Sequence, residues 1–135
     1  MSRLLFALAA LLALTAPVTA QTARPCQMST PFQHLVPTGP VELVPGVPGL
    51  RTYSCGFVLS QKGQSLDFQF WSAKGGTGCL EEVTALTPVF SLPSDVVMVN
   101  RLENVGPYTP PGHSLCIQTT GSQGQLTGII YWMQF

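Results

Sequence analysis

The stretch that most constrains the fold runs from Leu50 to Cys79, LRTYSCGFVLSQKGQSLDFQFWSAKGGTGC. Before Gln61, Tyr53, Cys55, Phe57 and Leu59 alternate with Thr52, Ser54, Gly56 and Val58. After Ser65, Leu66, Phe68 and Phe70 alternate with Asp67, Gln69 and Trp71. A period of two in aromatic and β-branched residues is what a half-buried strand requires. Between the two runs, Gln61-Lys62-Gly63-Gln64 supplies a glycine able to take positive φ and polar neighbours that can stay wet. The expectation is an antiparallel hairpin.

Residues 1–20 read as a secretory signal peptide. Arg3 supplies a positive n-region, Leu4 to Leu14 an apolar core, and Val18-Thr19-Ala20 a small-residue cleavage site ahead of Gln21. The apolar run is too short to cross a bilayer comfortably, so stable membrane insertion is not expected. Cleavage leaves roughly 115 residues, the size of one domain with a real core. Five basic residues then face six acidic ones, a formal charge of −1. That balance argues against nucleic acid or an acidic membrane surface as a partner.

All four cysteines, Cys26, Cys55, Cys79 and Cys116, lie in the mature chain. An even count in an exported protein predicts two disulfides, and a secreted or periplasmic location. Three connectivities are open. If Cys55 paired with Cys79, the closed loop would contribute about 3 kcal/mol. Zinc is not expected, because no C-x-x-C pair is present and only His34 and His113 could complete a site.

The arm at 21–49 carries Pro25, Pro31, Pro37, Pro40, Pro45 and Pro48. Proline removes a ladder donor, so the arm reads as extended coil with one short edge strand around Val41 to Val44. His34 in this arm reads as a packing or surface residue. Residues 50–135 read as the core domain. Lys74-Gly75-Gly76-Thr77-Gly78 lacks the spacing and flanking helix of a P-loop and reads as a connection ending in Cys79. One helical turn is conceivable from Leu80 to Leu86, followed by a short strand between Pro88 and Pro93 and a more buried one at Val96 to Val99. Asn104 to Gly112 is a loop. Ser114 to Thr119 is expected to form a second hairpin with Leu126 to Phe135. Six to eight strands, glycine and proline turns and no long amphipathic helix predict an all-β antiparallel sandwich stapled by disulfides, with a jelly roll as one form of it.

Catalytic groups are scarce. No serine lies in a G-x-S-x-G elbow, and His113 and Ser114, adjacent on a strand, point to opposite faces. Glu81 and Glu82 sit together in a loop, where solvated charge is the plain reading. No enzyme activity, cofactor or metal is expected. The better candidates are aromatic. Trp71 falls off the face of Phe68 and Phe70, Trp132 falls off the face of Tyr131 and Met133, and Tyr108 sits in a proline-rich loop. An exposed aromatic often marks binding to a protein surface or a carbohydrate.

Three short motifs and a closing strand stand out: Tyr53-Ser54-Cys55-Gly56-Phe57-Val58-Leu59, Gly76-Thr77-Gly78-Cys79, Pro111-Gly112-His113-Ser114-Leu115-Cys116-Ile117, and Tyr131-Trp132-Met133-Gln134-Phe135. In these the chain resembles a group of small, cysteine-containing β-sandwich proteins encoded in phages and prophages. The resemblance covers about residues 50–135. It implies a compact virion-associated or surface-displayed structural domain with no catalytic residues to carry over. The signal peptide and the proline-rich arm depart from that group and fit export. The expected function is therefore a non-enzymatic, exported structural or surface-interaction domain of an envelope or phage particle. The alternative is a secreted carbohydrate-binding module using Trp71, Tyr108 or Trp132.

Overall fold

The two pairs of strands that the sequence reads as hairpins do not pair with each other. The computed structural model describes residues 26, 28–36, 39–101, 106–121 and 124–135, so the signal peptide expected at 1–20 lies outside the described residues. The strands are β1 (Met28–Val36), β2 (Val41–Val44), β3 (Thr52–Gly63), β4 (Leu66–Lys74), β5 (Thr84–Ala85), β6 (Phe90–Leu92), β7 (Val97–Arg101), β8 (His113–Thr120) and β9 (Gly124–Gln134). They form two antiparallel sheets. One has the order β1-β9-β3-β7; the other has the order β2-β8-β4-β5, with β6 also pairing with β4. If β5 and β6 are taken as one position beside β4, most connections cross from one sheet to the other, which is the topology of a jelly roll.

Both expected hairpins are therefore arches. β3 pairs with β7 and β9 while β4 pairs with β5, β6 and β8, so the Gly63-to-Leu66 link carries the chain between layers. The β8–β9 link does the same. Local alternation shows which residues face the core and says nothing about which strand is the neighbour. Phe57, Phe68 and Phe70 satisfy their pattern by meeting across the core instead of side by side. Phe57 of one sheet lies 5.9 Å from Phe68 and 5.3 Å from Phe70 of the other. With Leu59, Leu66, Leu115, Ile117, Leu126 and Ile130 they form the buried centre. Each such side chain contributes about 1.5–3 kcal/mol on burial.

A bulge resets the parity of β3. Ser54 pairs with Trp132 and Gly56 with Tyr131, which leaves Cys55 as the extra residue, and Gly56 takes φ 153°. A bulge moves every later side chain to the opposite face. Tyr53 therefore leaves the face of Phe57 and Leu59 and looks outward, while Thr52 and Ser54 are buried.

Three further expectations change. The proline-rich arm contains a full edge strand, β1, with Pro31 in it, as well as β2 at the edge of the other sheet. No helical turn forms at 80–86; that segment holds β5. The Val96 to Val99 strand is an edge strand, not a buried one: Val97 is 63% and Val99 59% exposed, and only Val96 and Met98 pack on the core.

The disulfides are Cys26–Cys55 and Cys79–Cys116. The first ties the segment before β1 to the bulge of β3. The second ties the glycine-rich loop after β4 down onto β8, with Ala73 and Trp71 packed around it. Gly75 fits there because a Cβ would collide with the carbonyl oxygen of Gly112, which Gly46 also approaches. The layers are thus joined by apolar packing and by arches, and each disulfide acts within one sheet.

Candidate functional site

Register alone lays out the two outer faces. On the β2-β8-β4-β5 sheet the outward row is Glu42, Cys116, Trp71 and Ala85. The loop held by Cys79–Cys116 covers much of it.

The outer face of the β1-β9-β3-β7 sheet differs. Pro31, Ile129, Val58 and Val99 stand directly opposite one another across all four strands, giving an apolar row over the whole width. Val99 and Ile129 are exposed. One step along the strands lie Ser29, Tyr131 and Gly56, with Arg101 at the fourth register position. On the other side lie Gln33, Thr127, Ser60 and Val97.

The far end of the same face is aromatic. Tyr53 pairs with Met133 and bridges to Tyr108 on its other side. Its ring stacks on Phe135 with centroids 4.4 Å apart and lies 5.4 Å from Tyr108. The guanidinium of Arg51 sits 5.2 Å above the Tyr108 ring, a cation–π contact. Tyr108 is 50% and Phe135 52% exposed. Beside them Ala85, Leu86, Thr87, Pro88, Gly106 and Pro107 line an open cleft of about 690 Å³. Thr87 Oγ1 accepts the Phe70 N–H at 3.1 Å.

The structure separates the three aromatics singled out by the sequence. Tyr108 is an exposed member of this cluster. Trp132 points inward, packs at the rim of the core, and donates from Nε1 to Thr30 Oγ1 at 2.9 Å. Trp71 faces outward on the other sheet but lies half-buried under the Cys79–Cys116 loop. Sequence reasoning missed Tyr53, whose facing the bulge decides, Val99, exposed by the edge position of β7, and Ile129 and Phe135, whose outer face no other element among the described residues covers. The two faces of β9 were legible, because Ile129, Tyr131 and Met133 alternate with Leu126, Ile130 and Trp132, but its partners β1 and β3 were not.

The polar candidates do not assemble. His113 Nε2 lies 3.8 Å from Glu82 Oε2, beyond a hydrogen bond, and Glu82 also faces Lys74 at 3.4 Å. Ser114 Oγ accepts the Gly46 N–H at 3.0 Å. Among the described residues no group of three His, Cys, Asp or Glu is placed to hold a metal ion. Among them too, no helix is long and apolar enough to cross a membrane. His34 lies in β1.

Fold and face together define a disulfide-stapled antiparallel β-sandwich with one outer face covered and the other, among the described residues, bare and apolar. No protein-family model and no curated protein matches the chain. Among solved structures, the chain is similar to the crystal structure of PirA, at 11% identity and a TM-score of 0.37, over 83% of this chain and 99% of that one.

Proposed function

We propose that this chain is a non-enzymatic, exported surface-interaction domain that works through the outer face of the β1-β9-β3-β7 sheet, at the envelope or on a phage particle. The observation that carries the reading is the row Pro31–Ile129–Val58–Val99, an apolar band across a whole sheet with two of its aliphatic members exposed. Contiguous exposed apolar surface of this kind marks interaction sites. Two disulfides fit an oxidising compartment. A carbohydrate-binding role is the second reading, supported by the exposed Tyr108 ring beside Arg51.

Hydroxyl-radical footprinting of the protein in its native cell or particle fraction, compared with purified protein, tests the main reading. The expected result is protection of Val99, Ile129 and Tyr131, with Leu80 and Val89 on the rest of the surface unchanged. Equal reactivity of Val99 in both samples would reject it. Protection of Tyr108 alone, relieved by added oligosaccharide, would favour the carbohydrate reading.

A further inference from the structure

We infer that the partner of this face is an anionic lipid surface, which the sandwich touches without crossing; the inference rests on the interaction reading above and names its partner. Its basis is a separation of charge that the near-zero net charge conceals. Arg51 and Lys62 both project from the bare face, at opposite ends of β3, and Arg101 occupies a register position on the same face in β7. No Asp or Glu occupies that face among the described residues. The described acidic residues lie mostly elsewhere, and Glu103 is outside the described residues. Glu42 and Asp67 are on the outer face of the other sheet, Glu81 and Glu82 are in the loop covering it, where Lys74 faces both, and Asp95 is in the turn before β7, its Oδ1 accepting the Gly63 N–H beside Lys62. Among the described residues the bare face thus carries an excess of cations, and the other side carries four acids against Lys74, so an anionic plane would orient the molecule with the bare face inward.

The chemistry between the cations selects lipid over other anions. The central row offers aliphatic side chains and no hydrogen-bonding side chain, so it cannot grip sugar hydroxyls. In the row of Gln33, Thr127 and Ser60, the Thr127 hydroxyl is directed at the Ser60 carbonyl at 3.4 Å. Aliphatic groups flanked by tyrosines and by long basic side chains match the layering of a lipid interface. Alkyl groups enter the acyl boundary, phenols sit at headgroup depth and cations meet the phosphates.

The test uses the mature chain from Gln21 with both disulfides formed, sedimented with vesicles of phosphatidylglycerol and phosphatidylcholine, and with phosphatidylcholine alone. Binding is expected to the anionic vesicles only, and to be lost at about 1 M salt, where the Debye length is about 3 Å. Arg51→Glu combined with Lys62→Glu is expected to weaken it at least about tenfold. Ile129→Ser should weaken it with the charge unchanged. Glu81→Lys with Glu82→Lys, on the opposite side, should leave it intact, and unchanged near-ultraviolet circular dichroism shows that each variant is folded. Equal sedimentation with neutral vesicles, or full binding by the Arg51/Lys62 variant, would overturn the inference. No sedimentation with either vesicle, alongside footprint protection of Val99 in the native fraction, would replace lipid by an acidic protein and leave the interaction reading standing. Failure of both measurements would remove both.

Discussion

The side-chain oxygen of Gln61 accepts a 2.7 Å hydrogen bond from the backbone N–H of Asp95, joining the β3–β4 arch to the turn before β7. The same buried side chain donates from Nε2 to the Gln64 carbonyl, and Asp95 Oδ1 in turn accepts the Gly63 N–H at 3.2 Å. Asp95 is held at φ 54°, a conformation uncommon outside glycine. Gln61→Leu keeps the volume and strands these partners. A loss of about 2–3 kcal/mol is expected in urea unfolding, and a loss under about 0.5 kcal/mol would show that the contact is not structural.

Ile129 and Ile130 are the same residue at neighbouring positions on opposite faces of β9. Ile130 is fully buried against the core, whereas Ile129 is 37% exposed. Ile130→Ala is expected to cost about 2–5 kcal/mol, and Ile129→Ala less than about 1 kcal/mol. Equal losses in denaturant melts would refute the assignment of the bare face.

Gly128 lies opposite Leu59 in the middle of the sheet, with no room for a side chain. A Cβ there would run into the Val58 carbonyl oxygen, the Leu59 side chain and the Phe32 ring. Gly128→Ala should destabilise by about 1–3 kcal/mol. Gly39→Ala, where a Cβ meets nothing within 4 Å, should change stability by no more than about 0.5 kcal/mol. Calorimetry on both variants checks the contrast.

The disulfide pairs close loops with sequence separations of 29 and 37 residues. Non-reducing peptide mapping should recover Cys26 linked to Cys55 and Cys79 linked to Cys116. Cys79→Ser with Cys116→Ser should cost about 3–4 kcal/mol by loop entropy, and should raise the exposure of Trp71, read by fluorescence quenching. Peptides linking Cys55 to Cys79 would contradict the fold.

Much of the strand content was legible because burial of one sheet face imposes a period of two, and Phe68, Phe70 and Leu66 obey it without interruption. The pairing was not legible. A two-residue link such as Gln64-Ser65 suits a hairpin and an arch equally, and the choice depends on whether the apolar faces meet best within a layer or across it. At Cys55 the alternation of Tyr53 with Phe57 looks continuous, and only the bulge reveals that the two rings face opposite ways. The candidate site suffered most from this. Trp71 and Trp132 stand out in the sequence by chemistry alone, yet one lies under a loop and the other against the core.

The sequence by itself determined that this is an all-β chain with inward Phe57, Phe68 and Phe70 and an even set of cysteines, because alternation and composition are local properties. Which strands are neighbours, which cysteines meet and which side of the sandwich stays bare were decided only in the tertiary structure. Those outcomes depend on contacts between distant segments. The basic residues Arg51 and Lys62 and the acidic residues Glu81 and Glu82 nearly cancel in any sum over the chain. They come to lie on opposite sides of the molecule only because the β3–β4 arch sends the strands that carry or precede them to different sheets.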